Sequence, residues 1–279
     1  MNEHRKKLIR KFMKNKLGVV GAVLVLIVIL LAIFAPFITP YDPTEMDLIN
    51  KRKGPHMSHP FGTDKFGRDI FTRIIYGSRV SLAVGIISVG IGVFGGIILG
   101  LYAGYTGSII DNIIMWFMDM LMSFPSILLA LVVITVLGSS LTNTMIAIGI
   151  TYIPIFTRII RGSVMKIKDQ EFVESAMAIG LKDIRILVKH ILPNVMAPII
   201  VQATLALSGA ILTEAALSFL GLGVQPPMPS WGSMLSKSRS YMELAPWTVI
   251  FPSLAIMFSV LGFNILGDGL RDVLDPKLK

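Results

Sequence analysis

Leu17–Phe34 reads LGVVGAVLVLIVILLAIF, an uninterrupted apolar run with no charged residue, closed by Pro36. A helix needs about 20 such residues, at about 1.5 Å each, to cross a bilayer. The run is preceded by Arg5, Lys6, Lys7, Arg10, Lys11, Lys14 and Lys16. A basic flank before an apolar core also describes a secretory signal. This core is long for one, however, and no small-x-small cleavage site precedes Pro36. It reads as a retained signal-anchor helix, residues 17–36, behind a cytoplasmic basic tail, residues 1–16.

Working outward, five more runs have the same character: Val80–Tyr102, Ile113–Leu137, Leu141–Thr157, Val195–Leu217 and Trp247–Leu266. The expected architecture is all-α and polytopic, with about six transmembrane helices. The third and fourth runs are separated only by Gly-Ser-Ser-Leu-Thr-Asn, so an antiparallel hairpin is expected there. The composition agrees: 53% of the 279 residues are hydrophobic and 15% are charged, against about 25% charged in soluble domains. The formal charge of +9 reads as the positive flanks of membrane helices, not as a nucleic-acid surface. With no cysteine in the chain, disulfides, zinc-thiolate sites and thiol catalysis are excluded.

Six spans put both termini on one side. With that side cytoplasmic, 17 of the 26 lysines and arginines fall in inner segments and 9 in outer ones, the bias expected of a chain with its termini inside. The outer share is concentrated in residues 37–79. There, Arg68–Arg79 places Ile70, Phe71, Ile74 and Ile75 at helical spacing, which predicts an amphipathic helix lying along the membrane surface. Residues 80–267 would form a five-helix core, and residues 268–279 a cytoplasmic tail.

Gly92, Gly96, Gly100 and Gly104 recur every fourth residue in the second run. They leave one helix face bare, so that another helix can approach closely. Packing within the subunit is the favoured reading over a contact between subunits. Asp119 and Glu214 lie in or near apolar runs. Such carboxylates face protein or water, either as part of a substrate path or gate, or as groups that orient neighbouring helices. Pro125 should kink the third helix.

No catalytic set is visible. His56 and His59 stand three apart without an obvious third ligand, so no metal site is expected. Gly62-Thr-Asp-Lys-Phe-Gly67-Arg68-Asp69 loosely matches a phosphate-binding loop, but Arg replaces the lysine and Asp replaces the magnesium-binding hydroxyl. A carboxylate there would repel phosphate, and no strand precedes the loop.

Between the fourth and fifth runs lies a polar segment, residues 162–194. Asp169 is a candidate N-cap for a helix carrying Phe172, Ala176 and Ile179 on one face, and Gly180 a C-terminal cap. Asp183 would cap a second short helix with Ile184, Leu187, Val188 and Ile191 on one face, stopped by Pro193. Such a helix–turn–helix either rests on lipid or presents an apolar and acidic knob to a partner.

In this segment, Glu174-Ser175-Ala176-x-x-x-Gly180, followed thirteen residues later by Pro193 in His190-Ile-Leu192-Pro193-Asn194, resembles the EAA loop of binding-protein-dependent ABC permeases. The family pattern is EAA-x3-G-x9-I-x-L-P. Ser175 replaces its first Ala, and His190 replaces its Ile. Two further stretches are similar to the C-type subunit of dipeptide/oligopeptide permeases. One is His59-Pro-Phe-Gly-Thr-Asp64-x-x-Gly67-Arg68-Asp69, continuing to Tyr76-Gly-Ser-Arg79-Val-Ser-Leu. The other is Ala216-Leu-Ser-Phe-Leu-Gly-Leu-Gly-Val-Gln225-Pro-Pro-Met-Pro-Ser-Trp231-Gly.

The resemblance implies the type I ABC importer permease fold in a prokaryotic inner membrane. Its partners would be a second permease subunit, two cytoplasmic ATPases and an extracytoplasmic peptide-binding protein. The chain itself would be no enzyme and would hold no cofactor, since ATP and Mg would bind the ATPases. Glu174, Ser175, Ala176, Gly180, Leu192 and Pro193 would couple to an ATPase. Arg68, Gln225 and Trp231 would meet the binding protein. Closely similar subunits import nickel or oligosaccharides. Rival readings are a proton-coupled carrier using Asp119 and Glu214, and a non-transporting scaffold or receptor.

Overall fold

The computed structural model describes residues 3–107 and 109–274, almost entirely helical. Helix α1 (Glu3–Lys14) carries the basic flank and leads into α2 (Lys16–Ile33). The Asn15 side chain caps α2, its Oδ1 accepting from Gly18 N at 3.0 Å. A short α3 (Ala35–Ile38) follows, and then an irregular segment with one 3-10 turn at Leu48–Asn50.

Helix α4 (Ile70–Thr106) is 37 residues long. At about 1.5 Å per residue it is about 55 Å long, well beyond the ~30 Å hydrocarbon core. It begins where Asp69 Oδ2 accepts from Thr72 N at 2.7 Å. The surface helix expected over Arg68–Arg79 is therefore corrected: these residues are the first turns of α4. Ile70, Ile74 and Ile75 are buried inside the protein and do not rest on a membrane surface. Nothing between Arg79 and Val80 can break a helix. Gly77 sits instead where a Cβ would stand 3.1 Å from the Trp231 ring.

The third run divides into α5 (Ile109–Met122) and α6 (Ser126–Leu137), which meet at 94°. A kink was expected at Pro125; a break is found. Pro125 has no N–H and disfavours helical backbone at Phe124. Ser123 closes α5 through its N–H on Asp119 O at 3.0 Å and its Oγ on Met120 O at 2.6 Å.

The next helix, α7 (Leu141–Met165), starts at the Ser140 cap and continues two turns past the expected Thr157. The Asn143 Nδ2 group donates to Leu137 O and Gly138 O at 2.8 and 3.0 Å, fixing the tight link to α6. Then come α8 (Glu171–Ala178) and α9 (Asp183–Ile186). A π-helical turn, Leu187–Ile191, joins α9 to α10 (Leu192–Phe219). The expectation that Pro193 stops the second short helix is corrected: helix runs through it from Asp183 to Phe219. In the wide turn Leu192 N bonds back to Leu187 O. That geometry relieves the clash a proline ring makes with the carbonyl four residues earlier, and Pro193 itself falls in the first turn of α10, where its missing N–H costs little. The chain closes with α11 (Trp231–Ser238) and α12 (Trp247–Leu274).

Among the described residues, five helices are long and apolar enough to cross a membrane, six when α5 and α6 count as one bent span. The glycine face of α4 packs on α7 within the subunit, the favoured reading. A Cβ at Gly92 would lie 2.5 Å from Tyr152 Cβ, one at Gly100 2.7 Å from Thr157 O, and one at Gly104 2.8 Å from Val164 Cβ. Helix α2 lies along α12, with Gly18 against Gly269 and Gly21 against Leu266. Two buried apolar clusters result. One joins α4, α6, α7, α8, α9 and α10; the other joins α2, α4, α10, α11 and α12.

The junction of α1 and α2 and the end of α12 lie at the same end of the bundle, where Asn15 Nδ2 donates to Asp272 Oδ2 at 3.0 Å. Helices α8 and α9 share that end, tied to the close of α4 by Tyr105 Oη donating to Asp183 Oδ1 at 2.9 Å. The opposite end holds the 39–69 segment, α11 and the start of α12. There Phe61 stacks on Phe251 with centroids 4.1 Å apart, and Trp247 Nε1 donates to Thr63 O at 3.2 Å.

Candidate functional site

The N-cap of helix α8 is Gln170, not the expected Asp169, and no side chain caps it. Its first turn holds Glu171 and Glu174, where the free N–H groups of a helix favour negative charge. The 3.6-residue period turns Val173 and Ala176 inward, with Val173 wholly buried. Glu174, Ser175 and Met177 turn outward.

Gly180 has φ +77°. Leu181 N bonds Ala176 O at 3.2 Å, and Gly180 N bonds Met177 O at 2.9 Å. This pair of bonds is the glycine-terminated helix stop that satisfies the last carbonyls. A Cβ on Gly180 would meet no atom of this chain within 4 Å. The constraint within the chain is thus the backbone angle alone, about 1–2 kcal/mol for an L side chain.

The second short helix differs from expectation in two ways. Its N-cap is Lys182, and Asp183 instead accepts the Tyr105 hydroxyl. The faces also divide differently. Leu187 and Ile191 are buried together with Ile186, while Ile184 is 66% exposed and Val188 is exposed. Ile179, placed with Phe172 and Ala176 by spacing, is 76% exposed. It follows the last turn of α8, so the helical period no longer governs its direction.

The exposed face therefore combines Met177, Ile179, Ile184 and Val188 with Glu171 and Glu174. Behind it, Val173, Ala176, Ile186, Leu187 and Ile191 join one buried cluster with Val195 and Ile199 of α10 and Phe156, Ile160 and Val164 of α7. Of the remaining residues of the motif, Leu192 is half-buried against that cluster, and Pro193 is exposed.

The residues proposed to meet a partner at the opposite end behave otherwise. Arg68 is 5% exposed and pairs with Asp64, Nε to Oδ2 at 2.7 Å. Trp231 is 2% exposed, and its Nε1 donates to Ile74 O at 2.9 Å. Both side chains are internal staples, so their assignment to a partner surface is corrected. Arg68 braces its own loop through Asp64, and Trp231 fastens α11 to α4. Gln225 alone of the three is exposed, with Nε2 donating to Gly223 O at 3.0 Å. The phosphate-loop likeness also resolves here. Asp64 Oδ1 accepts from Phe66 N at 2.8 Å and Arg68 N at 3.1 Å, so the chain's own carboxylate fills the turn. His59 Nδ1 lies 2.9 Å from Asp69 Oδ1, and its ring stacks on Tyr41.

Of the two membrane carboxylates, Glu214 is fully buried. Ser218 Oγ donates to its Oε1 at 2.7 Å, and Ser81 Oγ of α4 lies 3.5 Å from Oε2. Ser218 Oγ in turn accepts from Val224 N at 3.2 Å, which fixes the loop after α10. Asp119 is exposed and ion-paired with Arg158 of α7. A second pair on the same two helices went unread in the sequence: Arg161 grips Asp111 with two bonds of 2.6 Å. Its signal was two carboxylates on α5 facing two arginines three apart on α7.

The bundle with its projecting α8–α9 element defines a class that the comparisons name. The description "binding-protein-dependent transport system inner membrane component" matches residues 96–279, and the chain belongs to that family. Residues 6–55 match the N-terminal membrane domain of oligopeptide transport permease C. Among individual relatives, the dipeptide transport system permease protein DppC of Alkalihalophilus pseudofirmus is 53% identical, over 97% of this chain and 89% of that one. The glutathione transport system permease protein GsiD of Pectobacterium atrosepticum is 47% identical, over 97% and 90%. Among solved structures, an inward-facing form of the methionine ABC transporter MetNI has the same fold. Its TM-score is 0.59 at 19% identity, over 73% of this chain and 97% of that one. The chain is a multi-pass membrane protein with the type I ABC importer permease fold.

Proposed function

We propose that this chain is one permease subunit of an ATP-driven importer of dipeptides or short oligopeptides. It forms half of the translocation pathway beside a second permease subunit. Two cytoplasmic ATPases carry the ATP and Mg, and this chain performs no catalysis. A peptide-binding protein delivers cargo on the far side of a prokaryotic inner membrane. The α8–α9 end and both termini face the cytoplasm, in keeping with the concentration of lysine and arginine there. Relatives named for dipeptides and glutathione favour a short peptide over nickel or an oligosaccharide.

One observation carries the coupling role: the exposed apolar and acidic face of α8–α9 is backed by a single packed cluster reaching into α7 and α10. A push on that face moves close-packed side chains and two spanning helices together, the rigid-body transmission that switching interfaces use. Glu174, Ser175 and the Gly180 turn are the docking surface, and Ala176 and Leu192 transmit the motion. Pro193 marks the turn at which the lever enters α10. A proton carrier working through Asp119 and Glu214 would need neither this face nor a partner.

Reconstitution of the four subunits into liposomes tests the proposal. Uptake of a labelled dipeptide should require ATP inside and the binding protein outside, and should be insensitive to an imposed proton gradient. Uptake by this chain alone, driven by protons, would contradict it.

A further inference from the structure

The two ion pairs between α5 and α7 are built differently. Asp111 and Arg161 form a bidentate pair, with the Asp111 side chain 8% exposed. One turn earlier on α7 and two turns later on α5, Asp119 and Arg158 are paired with their side chains 57% and 51% exposed. Arg158 lies seven residues before the end of α7, and Asp119 ten residues after the start of α5. Both stand on helices of the membrane-crossing bundle. Charged groups on such helices do not face lipid tails; they face water or another protein.

The pair lies just before the 94° break between α5 and α6. Its face continues through the exposed side chains of Trp116 and Met122, three residues to either side of Asp119 on the helix. Among the described residues the pair is left half-exposed, so it is not a bolt through the subunit's own core, as Asp111–Arg161 is.

Resting on the peptide-importer reading, we infer that Asp119 and Arg158 form a pathway subsite for the charged ends of the cargo. A peptide with free termini carries one ammonium and one carboxylate. Arg158 matches the carboxylate, a guanidinium being shaped for two parallel bonds to it. Asp119 matches the ammonium. The cargo can take the place of the internal pair without leaving a net charge in the membrane, and the pair re-forms once the cargo leaves. The aromatic and methionine side chains around it supply an adaptable apolar wall that tolerates varied peptide side chains.

The chain has no cysteine, so single cysteines report cleanly. Trp116→Cys and Met122→Cys flank the pair and leave it intact. In the assembled complex without nucleotide, a charged, water-soluble thiosulfonate should label both. A tripeptide with free termini should slow labelling about tenfold, the worth of roughly one charge-assisted bond. The same tripeptide acetylated and amidated should not. In an Asp119→Asn/Arg158→Gln background the protection should vanish. Absence of labelling by the aqueous reagent at both positions would overturn the inference by placing the face against another subunit or lipid. Equal protection by free and capped peptides would overturn it by showing that the charges are not read. ATP-dependent dipeptide uptake by the unsubstituted complex reports separately on the importer reading.

Discussion

The two ends of the bundle use their polar segments in opposite ways. At the end carrying α11, the residues with the most distinctive chemistry, Arg68 and Trp231, point inward: Arg68 braces the 39–69 segment on its own Asp64, and Trp231 fastens α11 to α4. At the end carrying α8 and α9, Glu174, Met177, Ile179 and Ile184 point outward and are exposed. A recognisable motif can therefore build a fold or meet a partner, and burial separates the two. The first kind should govern stability, the second transport with little effect on stability.

Breaking that contrast should have its largest effect at Trp231. Trp231→Ala removes a buried ring and its bond to Ile74 O, and should cost about 3–5 kcal/mol. A large drop in the thermal midpoint of the detergent-purified subunit is the expected result. Asp64→Ala follows. It strips the partner from buried Arg68 and the nearest carboxylate from Arg73, 3.9 Å away, and should cost about 3–5 kcal/mol by the same assay. It ranks second because Arg73 keeps its 2.6 Å bond to Pro43 O.

At the other end the effects on stability shrink while those on transport grow. Gly180→Val should cost only about 1–2 kcal/mol, through the positive φ. It should nevertheless abolish peptide-stimulated uptake while basal ATP hydrolysis continues, as measured on proteoliposomes. Glu174→Ala should shift stability by less than about 0.5 kcal/mol, as for an exposed substitution. Uptake should fall with it, and a stability loss as large as that of Trp231→Ala would erase the contrast between the ends.

Much of this was legible in the sequence because the bilayer demands long apolar runs. The six runs appear as helix, the third broken into two, and the Gly92–Gly104 face meets α7 as a bare face should. Gly180 was legible because few residues adopt its backbone angle. The failures share a cause: periodicity describes a helix face but not what lies across from it. Ile70, Ile74 and Ile75 fitted a surface helix until α11 packed on them. Arg68 and Trp231 read as exposed because charge and amphipathic rings are common at partner surfaces, whereas here each finds its bond inside the chain. Ile179 left its expected face because the helix ends one residue earlier. Pro193 read as a stop, since nothing in its neighbours announces the π turn that lets helix pass through it.

The account rests on α8–α9 being gripped by a nucleotide-hydrolysing partner, and a cysteine at Ile184 tests that directly. In the purified complex, a short bifunctional maleimide should join Ile184→Cys to a cysteine on the ATPase surface, and ATP binding should change the yield. No crosslink to any ATPase surface cysteine, or one only to a partner on the opposite side of the membrane, would contradict it.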